Sequence, residues 1–254
     1  MTVSGAAAYN NSYEASSVQA FAAAGDPSLL RVAQVDYVKP EQMQSQEFGY
    51  RGKLSRTFTV DAAVYRNDFQ DFINTQVVLS PLYGEVGDGG LSVLAMANGD
   101  FETWSSYTNS PAEISSWGVS IGAQTKIFGN FDLSANYTKS KLEFEQSLYP
   151  DFRTNWNTPE HKIKAQFGNT QLFENFGFNV AWRYWSEYLW QASFGDGMVP
   201  ETHVIDAQFN LTVPKWKSVI KVGATNLGGE EYFTAFGSGF IGTQYYISWT
   251  ANNF

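Results

Sequence analysis

Side chains that alternate with period two, connections that are short and long in turn, and an aromatic-rich final strand predict an all-β fold, an antiparallel up-and-down transmembrane β-barrel. In the last stretch, Tyr245, Ile247 and Trp249 share one face of a strand and Gln244, Tyr246, Ser248 and Thr250 the other. One face suits hydrocarbon and the other suits water. Phe254 has the parity of the even face, so it points outward only if a bulge or frayed end lies between it and Trp249.

Each element follows from the same period. From Trp117 the odd positions read Trp, Val, Ile, Ala, Thr, Ile and the even ones Gly, Ser, Gly, Gln, Lys. After the tight-turn pair Gly129-Asn130, Phe131, Leu133, Ala135 and Tyr137 oppose Asp132, Ser134, Asn136 and Thr138, which makes a hairpin. Ile163, Ala165 and Phe167 continue the series, then Phe176 through Tyr184, then Ile205 through Val213. The next strand is read from Trp216 through Ile220, Val222 and Ala224. About nine such strands run from Gln42 onward, with a possible tenth near the N-terminus.

Connection length separates a barrel from a sandwich. Short links at 52–57, 129–130, 170–175 and 214–215 alternate with long ones near 80–99, 146–158, 191–201 and 227–240. Tight periplasmic turns and long extracellular loops give a barrel this asymmetry, whereas Greek-key connections have no reason to keep it. The phase places the last strand descending toward the periplasmic side. Trp117, Phe131, Tyr137, Phe176, Trp182, Tyr184, Trp216 and Trp249 lie toward strand ends, where amphipathic rings sit at headgroup level.

Composition sets limits. The 254 residues are 43% hydrophobic and 17% aromatic, with a mean hydropathy of -0.28. No run approaches the roughly 20 apolar residues of a membrane helix, but a barrel strand needs only about 9 to 11, alternately apolar. A formal net charge of -9 with scattered Lys and Arg argues against a nucleic-acid partner. The absence of cysteine excludes disulfides and thiolate metal sites. The first eight residues show no basic stretch followed by an apolar one, hence no visible signal peptide.

Several stretches, taken in order, resemble the C-terminal barrel of TonB-dependent outer-membrane receptors. Val38-Lys-Pro-Glu41 and Ser45-Gln-Glu-Phe-Gly-Tyr-Arg-Gly52 are similar to the family's Pro-Glu and Glu-x-Gly-Tyr-Lys-Gly strand, and Asp61–Tyr65 with Asp71–Ile73 to the strand after it. Tyr107–Asn109 with Trp117–Val119 resembles the Asn-x-Gly-Lys, Gly-Val-Glu strand, with Ser110 and Ser120 in place of Gly and Glu. Thr158-Pro-Glu-His161, Gly223-Ala-Thr-Asn-Leu227 and Glu231-Tyr232 match later motifs, with Gly228 where an aromatic is common.

The resemblance implies a location in the bacterial outer membrane and uptake of a siderophore, cobalamin or glycan driven by TonB, with no enzymatic activity and no cofactor. It implies as partners membrane lipid, a plug domain, TonB and the insertion machinery, which reads the last strand through Tyr245, Ile247, Trp249 and Phe254. Family barrels have roughly 22 strands around a plug. The expected division is therefore a loop and partial strand at 1–40 and the C-terminal part of a barrel at 41–254, a fragment without plug or signal peptide and not competent for transport alone.

Two other readings stay open. One is a soluble secreted β-sandwich that binds carbohydrate. The other is a ten-stranded outer-membrane hydrolase using His161 beside Glu160 and His203 near Asp206. Neither histidine has the carboxylate array of a catalytic or metal site. Gly195-Asp-Gly197 and Gly87-Asp-Gly-Gly90 lack the spaced ligands of a calcium loop and read as turns. The segment chosen for ligand contact is Arg183, Trp185, Glu187 and Trp190, an aromatic platform with charged neighbours: with Trp182 and Tyr184 toward lipid, Arg183, Trp185 and Glu187 face the lumen and Trp190 approaches the extracellular mouth.

Overall fold

The computed structural model describes residues 11–192 and 194–251. Phe254 of the expected insertion signal lies outside them. The described residues open with β1 (Tyr13–Glu14) and α1 (Ala15–Ala24), an alanine-rich helix ended by Gly25 at φ 70°. A positive φ at this position suits glycine, and the Gly25 N–H closes the last turn on the Phe21 carbonyl at 2.7 Å.

Two staves follow, β2 (Gln42–Lys53) and β3 (Thr59–Gln70). The first long connection then builds β4 (Ile73–Pro81), α2 (Leu91–Asn98) and β5 (Phe101–Asn109). The hairpin of β6 (Ile114–Ile127) and β7 (Phe131–Glu143) comes next, and the short β8 (Phe152–Arg153) lies in the second long connection. β9 (His161–Phe173) and β10 (Phe176–Trp185) precede a third connection that forms the hairpin β11 (Tyr188–Ala192) and β12 (Gly195–Val199). β13 (Thr202–Val213), β14 (Ser218–Thr225) and β15 (Gln244–Ala251) complete the described residues.

Nine of these strands make one sheet in the order β2-β3-β6-β7-β9-β10-β13-β14-β15, every neighbouring pair antiparallel. Each stave lies beside the next one in sequence, which is a meander and not the crossed connectivity of a Greek-key sandwich. The strands in the long connections form separate small sheets, β1-β4-β5 with β8 on β4, and β11-β12.

Register carries the predicted alternation across strands. One row of cross-strand neighbours reads Leu133, Phe167, Val180, Ala207, Ala224 and Tyr245. A row on the opposite face reads Asn179, Gln208, Gly223 and Tyr246. The apolar face is bare: Tyr245 and Ile247 are each 76% exposed and Trp249 69%. An apolar surface spread over nine strands is too large for a water-facing monomer and fits hydrocarbon. The buried apolar core lies instead among the long connections, where Tyr13, Val18, Phe21, Leu79 and Met96 pack between α1, β4 and α2.

Two local readings are corrected and a third holds. Trp216 does not begin a strand: Pro214–Trp216 is a 3-10 turn, Lys217 takes φ 45°, and β14 starts at Ser218. Gly195–Gly197 is not a turn but the start of β12, with Asp196 opposite Gln191. Gly87–Gly90 is a turn as expected, and Asp88 accepts from the Gly90 N–H at 2.9 Å and the Ser92 hydroxyl at 2.8 Å. Those two hydrogen bonds hold the Asp88 carboxyl below its ordinary pKa.

Two glycines of the polar face sit opposite tyrosines in register, Gly118 opposite Tyr65 and Gly223 opposite Tyr246. Each ring lies across the bare backbone, and an aromatic covering a cross-strand glycine supplies the packing that the glycine lacks. A Cβ at Gly118 meets the Tyr65 ring at 2.5 Å and the Lys139 carbonyl oxygen at 2.6 Å, whereas one at Gly122 finds nothing closer than 3.5 Å. Gly118→Ala should therefore cost about 1–3 kcal/mol in urea unfolding from micelles, with Gly122→Ala within about 0.5 kcal/mol of wild type.

Candidate functional site: the loop cap and the lumenal wall

Four long connections and the segment before β2 gather at one end of the staves, while the short turns occupy the other. Residues 144–160 tie this cap together. β8 pairs with β4, and the Val77 N–H donates to the Asp151 carbonyl at 2.9 Å. The Asp151 carboxylate accepts from the Ser16 N–H at 2.6 Å and the Ser16 hydroxyl at 2.7 Å. It thereby caps a helix more than a hundred residues away in sequence.

The same segment reaches the β11–β12 hairpin. Asn157 and Gln191 exchange two hydrogen bonds, amide nitrogen to backbone oxygen at 2.9 Å and backbone N–H to amide oxygen at 2.7 Å. The Asn155 N–H donates to Gln191 Oε1 at 3.2 Å and its side chain to Thr75 Oγ1 at 3.0 Å. Arg153 meets Asp196 at 3.3 Å. Asn155 and Asn157 have φ of 52° and 43°, a conformation asparagine adopts at low cost. Beside this clasp lie a cavity of about 420 Å³ reached by Thr75, Tyr107, Arg153 and Gln191, and one of about 360 Å³ reached by Trp156, Tyr188 and Glu187.

The hairpin is tied in turn to residues 226–243. The Tyr188 hydroxyl donates to the Thr234 carbonyl at 2.7 Å, the Phe236 ring covers Gly197, and Trp185 meets Tyr232 edge to face at 5.5 Å. Burial raises the pKa of the Tyr188 hydroxyl, which keeps it a donor throughout the physiological range.

The four candidate ligand contacts separate into two settings. Arg183 and Trp185 belong to the polar, lumenal face of β10, with the Arg183 guanidinium 2.9 Å from Asp206. Arg183 Nε and Trp185 Nε1 are both shielded from solvent without a hydrogen-bond partner. Glu187 and Trp190 lie in the cap: Glu187 is exposed at the edge of the smaller cavity, and Trp190 is opposite Gly197 with its ring 6.5 Å from Tyr188. Sequence reasoning missed Asp151, Asn155, Asn157 and Gln191. Their only signal was an amide-rich stretch with no period.

Both histidines sit on the outward face at the cap end of the staves. His161 Nδ1 is 2.8 Å from the Tyr137 hydroxyl, and His203 stacks on Trp182 at 5.9 Å and Tyr184 at 4.8 Å. Lys139 lies over the Trp117 ring at 5.1 Å. These contacts make a girdle of amphipathic rings at the edge of the apolar band, not a hydrolytic array. Among the described residues no group of three or more His, Asp or Glu is placed to hold a metal.

The family model for "TonB dependent receptor-like, beta-barrel" matches residues 3–227. The chain belongs to that family. Its members are receptors and transporters rather than enzymes, and its place is the outer membrane. Among solved structures it is similar to the copper transporter OprC, with TM-score 0.59 and 16% identity over 84% of this chain and 31% of that one. The FrpB iron transporter from Neisseria meningitidis aligns with TM-score 0.58 and 12% identity, over 85% of this chain and 31% of FrpB. The siderophore receptor PiuA from Acinetobacter baumannii gives 0.56 and 19%, over 88% and 30%. No curated protein sequence matches. The TonB-dependent receptor-like chain thus spans about a third of the length of these structures.

Two outcomes follow for the cap. Asp151→Ala should destabilise α1 by about 1–2 kcal/mol, read as faster proteolysis within 15–24 and unchanged protection of the staves. Glu14 has its pKa raised by burial, then by the neighbouring Asp151 carboxylate. Because the folded value exceeds the ordinary one, ionised Glu14 opposes folding at neutral pH, and this opposition fades as pH falls through the raised value toward the ordinary carboxylate range. Glu14→Gln should therefore slow cleavage of α1 at pH 7 and flatten its change as pH falls from 7 into the ordinary carboxylate range.

Proposed function

We propose that this chain supplies staves and extracellular loops to a TonB-dependent receptor that takes up a scarce large solute, a siderophore, cobalamin or glycan. The observation that carries this reading is the two-faced sheet, apolar outward and polar inward through nine registered strands, with the tied loop cap at one end. The wall acts by shape, lumenal polarity and loop contacts. Its partners on this reading are outer-membrane lipid, a plug domain, TonB and the insertion machinery.

Strand direction supports membership of a larger barrel. Successive staves reverse, so with nine of them β2 and β15 run the same way. Closing the sheet on itself, or on a second copy in the same membrane orientation, sets parallel edges together, whereas bacterial barrels are antiparallel with an even number of strands. An odd number of further strands restores antiparallel seams at both edges. On this reading the chain is a fragment and does not carry out energised transport alone.

We assign ligand contact to Arg183 and Trp185 on the lumenal wall and to Glu187 and Trp190 in the cap. In the complete receptor, Trp185→Ala and Trp190→Ala should each weaken solute binding about tenfold, roughly 1.4 kcal/mol, while the barrel stays folded. Solute titration of both variants checks this, and unchanged affinity in both removes the assignment.

A further inference from the structure

The lumenal wall has a local charge pattern that a receptor of net charge -9 does not explain on average. Three of its cations are paired with carboxylates on neighbouring strands: Arg51 with Asp61, Lys126 with Asp132 and Arg183 with Asp206. Lys162 and Lys164 of β9 face the same lumen and have no carboxylate within 4 Å among the described residues. Lys164 is directly opposite Arg183 in register, and Lys162 directly opposite Trp185.

That juxtaposition is unfavourable as it stands. Directly opposed residues of an antiparallel pair hold their Cβ atoms about 5 Å apart, and like charges there repel. Asp206 occupies one side of the Arg183 guanidinium, at 3.1 Å and 2.9 Å from Nη2 through its two oxygens, and also accepts from the Asn226 N–H at 3.1 Å. The other neighbours of Lys162 and Lys164 across the sheet are Thr138 and Asn136, which are neutral. In the same patch, Arg183 Nε–H and Trp185 Nε1–H are shielded donors without an acceptor. Three cations and two unsatisfied N–H donors thus share a single carboxylate, Asp206, which engages only Nη2 of Arg183 and the Asn226 N–H, so the patch has more donors and positive charge than its own groups answer.

We infer that Lys162, Lys164, Arg183 and Trp185 form a lumenal oxyanion site, one that receives a carboxylate or phosphate against the β9–β10 wall. An oxyanion there relieves the Lys164–Arg183 repulsion and supplies charge-assisted acceptors to the bare N–H groups. Lys221 is a built-in comparison. It is also lumenal but lies on β14 between Asn210 and Ser248, away from any second cation. This inference rests on the reading of the polar face as a lumen, and it narrows the role given above to Arg183 and Trp185. Two sources share the chemistry, an anionic solute in transit and carboxylates of a protein segment that fills the lumen.

The test uses citrate, a soluble tricarboxylate, titrated into the complete receptor with the segment that fills its lumen removed, refolded in neutral detergent, with sodium chloride at matched ionic strength as reference. The readout is the part of the tryptophan fluorescence that Trp185→Phe removes. Citrate should give a saturable change that chloride does not, weakened at least tenfold by Lys162→Gln with Lys164→Gln and unaffected by Lys221→Gln. Equal responses to citrate and chloride, or equal affinity in the double glutamine variant, overturn the site. Should the double variant fail to refold, Lys164→Gln alone, expected to lose at least threefold, decides the matter by the same criterion.

Repeating the titration on the complete receptor separates the sources. Citrate binding retained there assigns the site to solute. Binding present without that segment but blocked in the complete receptor assigns it to that segment. Solute affinity is never read in this experiment, so the uptake reading and the oxyanion site fail independently.

Discussion

Backbone hydrogen bonding in a medium without water is the constraint on which the rest of the structure depends. Each unpaired N–H or carbonyl in hydrocarbon costs several kcal/mol, so strands enter a membrane only as neighbours in a continuous ladder. The nine staves meet that condition through eight antiparallel registers. Once the ladder is fixed, side-chain period and strand direction follow from it. Alternation assigns one face to lipid and one to the lumen, and reversal at each turn puts the long connections together at one end. The apolar band, the girdle of rings around His161 and His203, and the gathered cap are consequences of a single pairing rule.

The cap obeys different physics. Its residues meet water, so it is held by a small apolar core around Tyr13, Phe21 and Met96 and by side-chain hydrogen bonds that span long sequence separations. The staves show the reverse economy, with the largest side chains outward and little packed behind them. A substitution in the cap is therefore felt as a local loss of packing or capping, whereas one at Gly118 is felt across two strand interfaces at once.

The staves were legible in the sequence and the cap was not, for the same reason. Strands with one face in lipid must alternate, and the pattern from Trp117 to Ile127 or from Phe176 to Tyr184 allows no other period. β4 is buried on both faces at most of its positions and has no such contrast, so its sequence carries no period that marks a strand. Gly195-Asp-Gly197 read as a turn because glycine usually marks one, yet here glycine admits the Phe236 ring against a strand. Trp216 carried the right composition for a stave and the wrong neighbour, since Pro214 two residues earlier starts a turn. Parity alone puts Arg183 and Trp185 on the polar face of their strand, and their register positions follow that parity. The clasp made by Asp151, Asn155, Asn157 and Gln191 depends on contacts between distant segments, which no local pattern encodes.

On the proposed uptake reading, the clasp bears on how solute binding at the mouth is transmitted. Residues 144–160 touch α1, β4 and the β11–β12 hairpin, and the hairpin touches residues 226–243 through Tyr188 and Phe236. A solute that draws one of these connections inward must either break such contacts or carry the others with it. Breaking them costs about 1 kcal/mol for each neutral hydrogen bond and more for the Asp151 pair, so concerted motion is the less costly response. Trp185 lies at the junction, its ring on Tyr232 in the cap and its backbone in β10 beside Arg183. Movement of residues 226–243 therefore reaches the lumenal wall through one edge-to-face contact, at the point where that wall concentrates its positive charge.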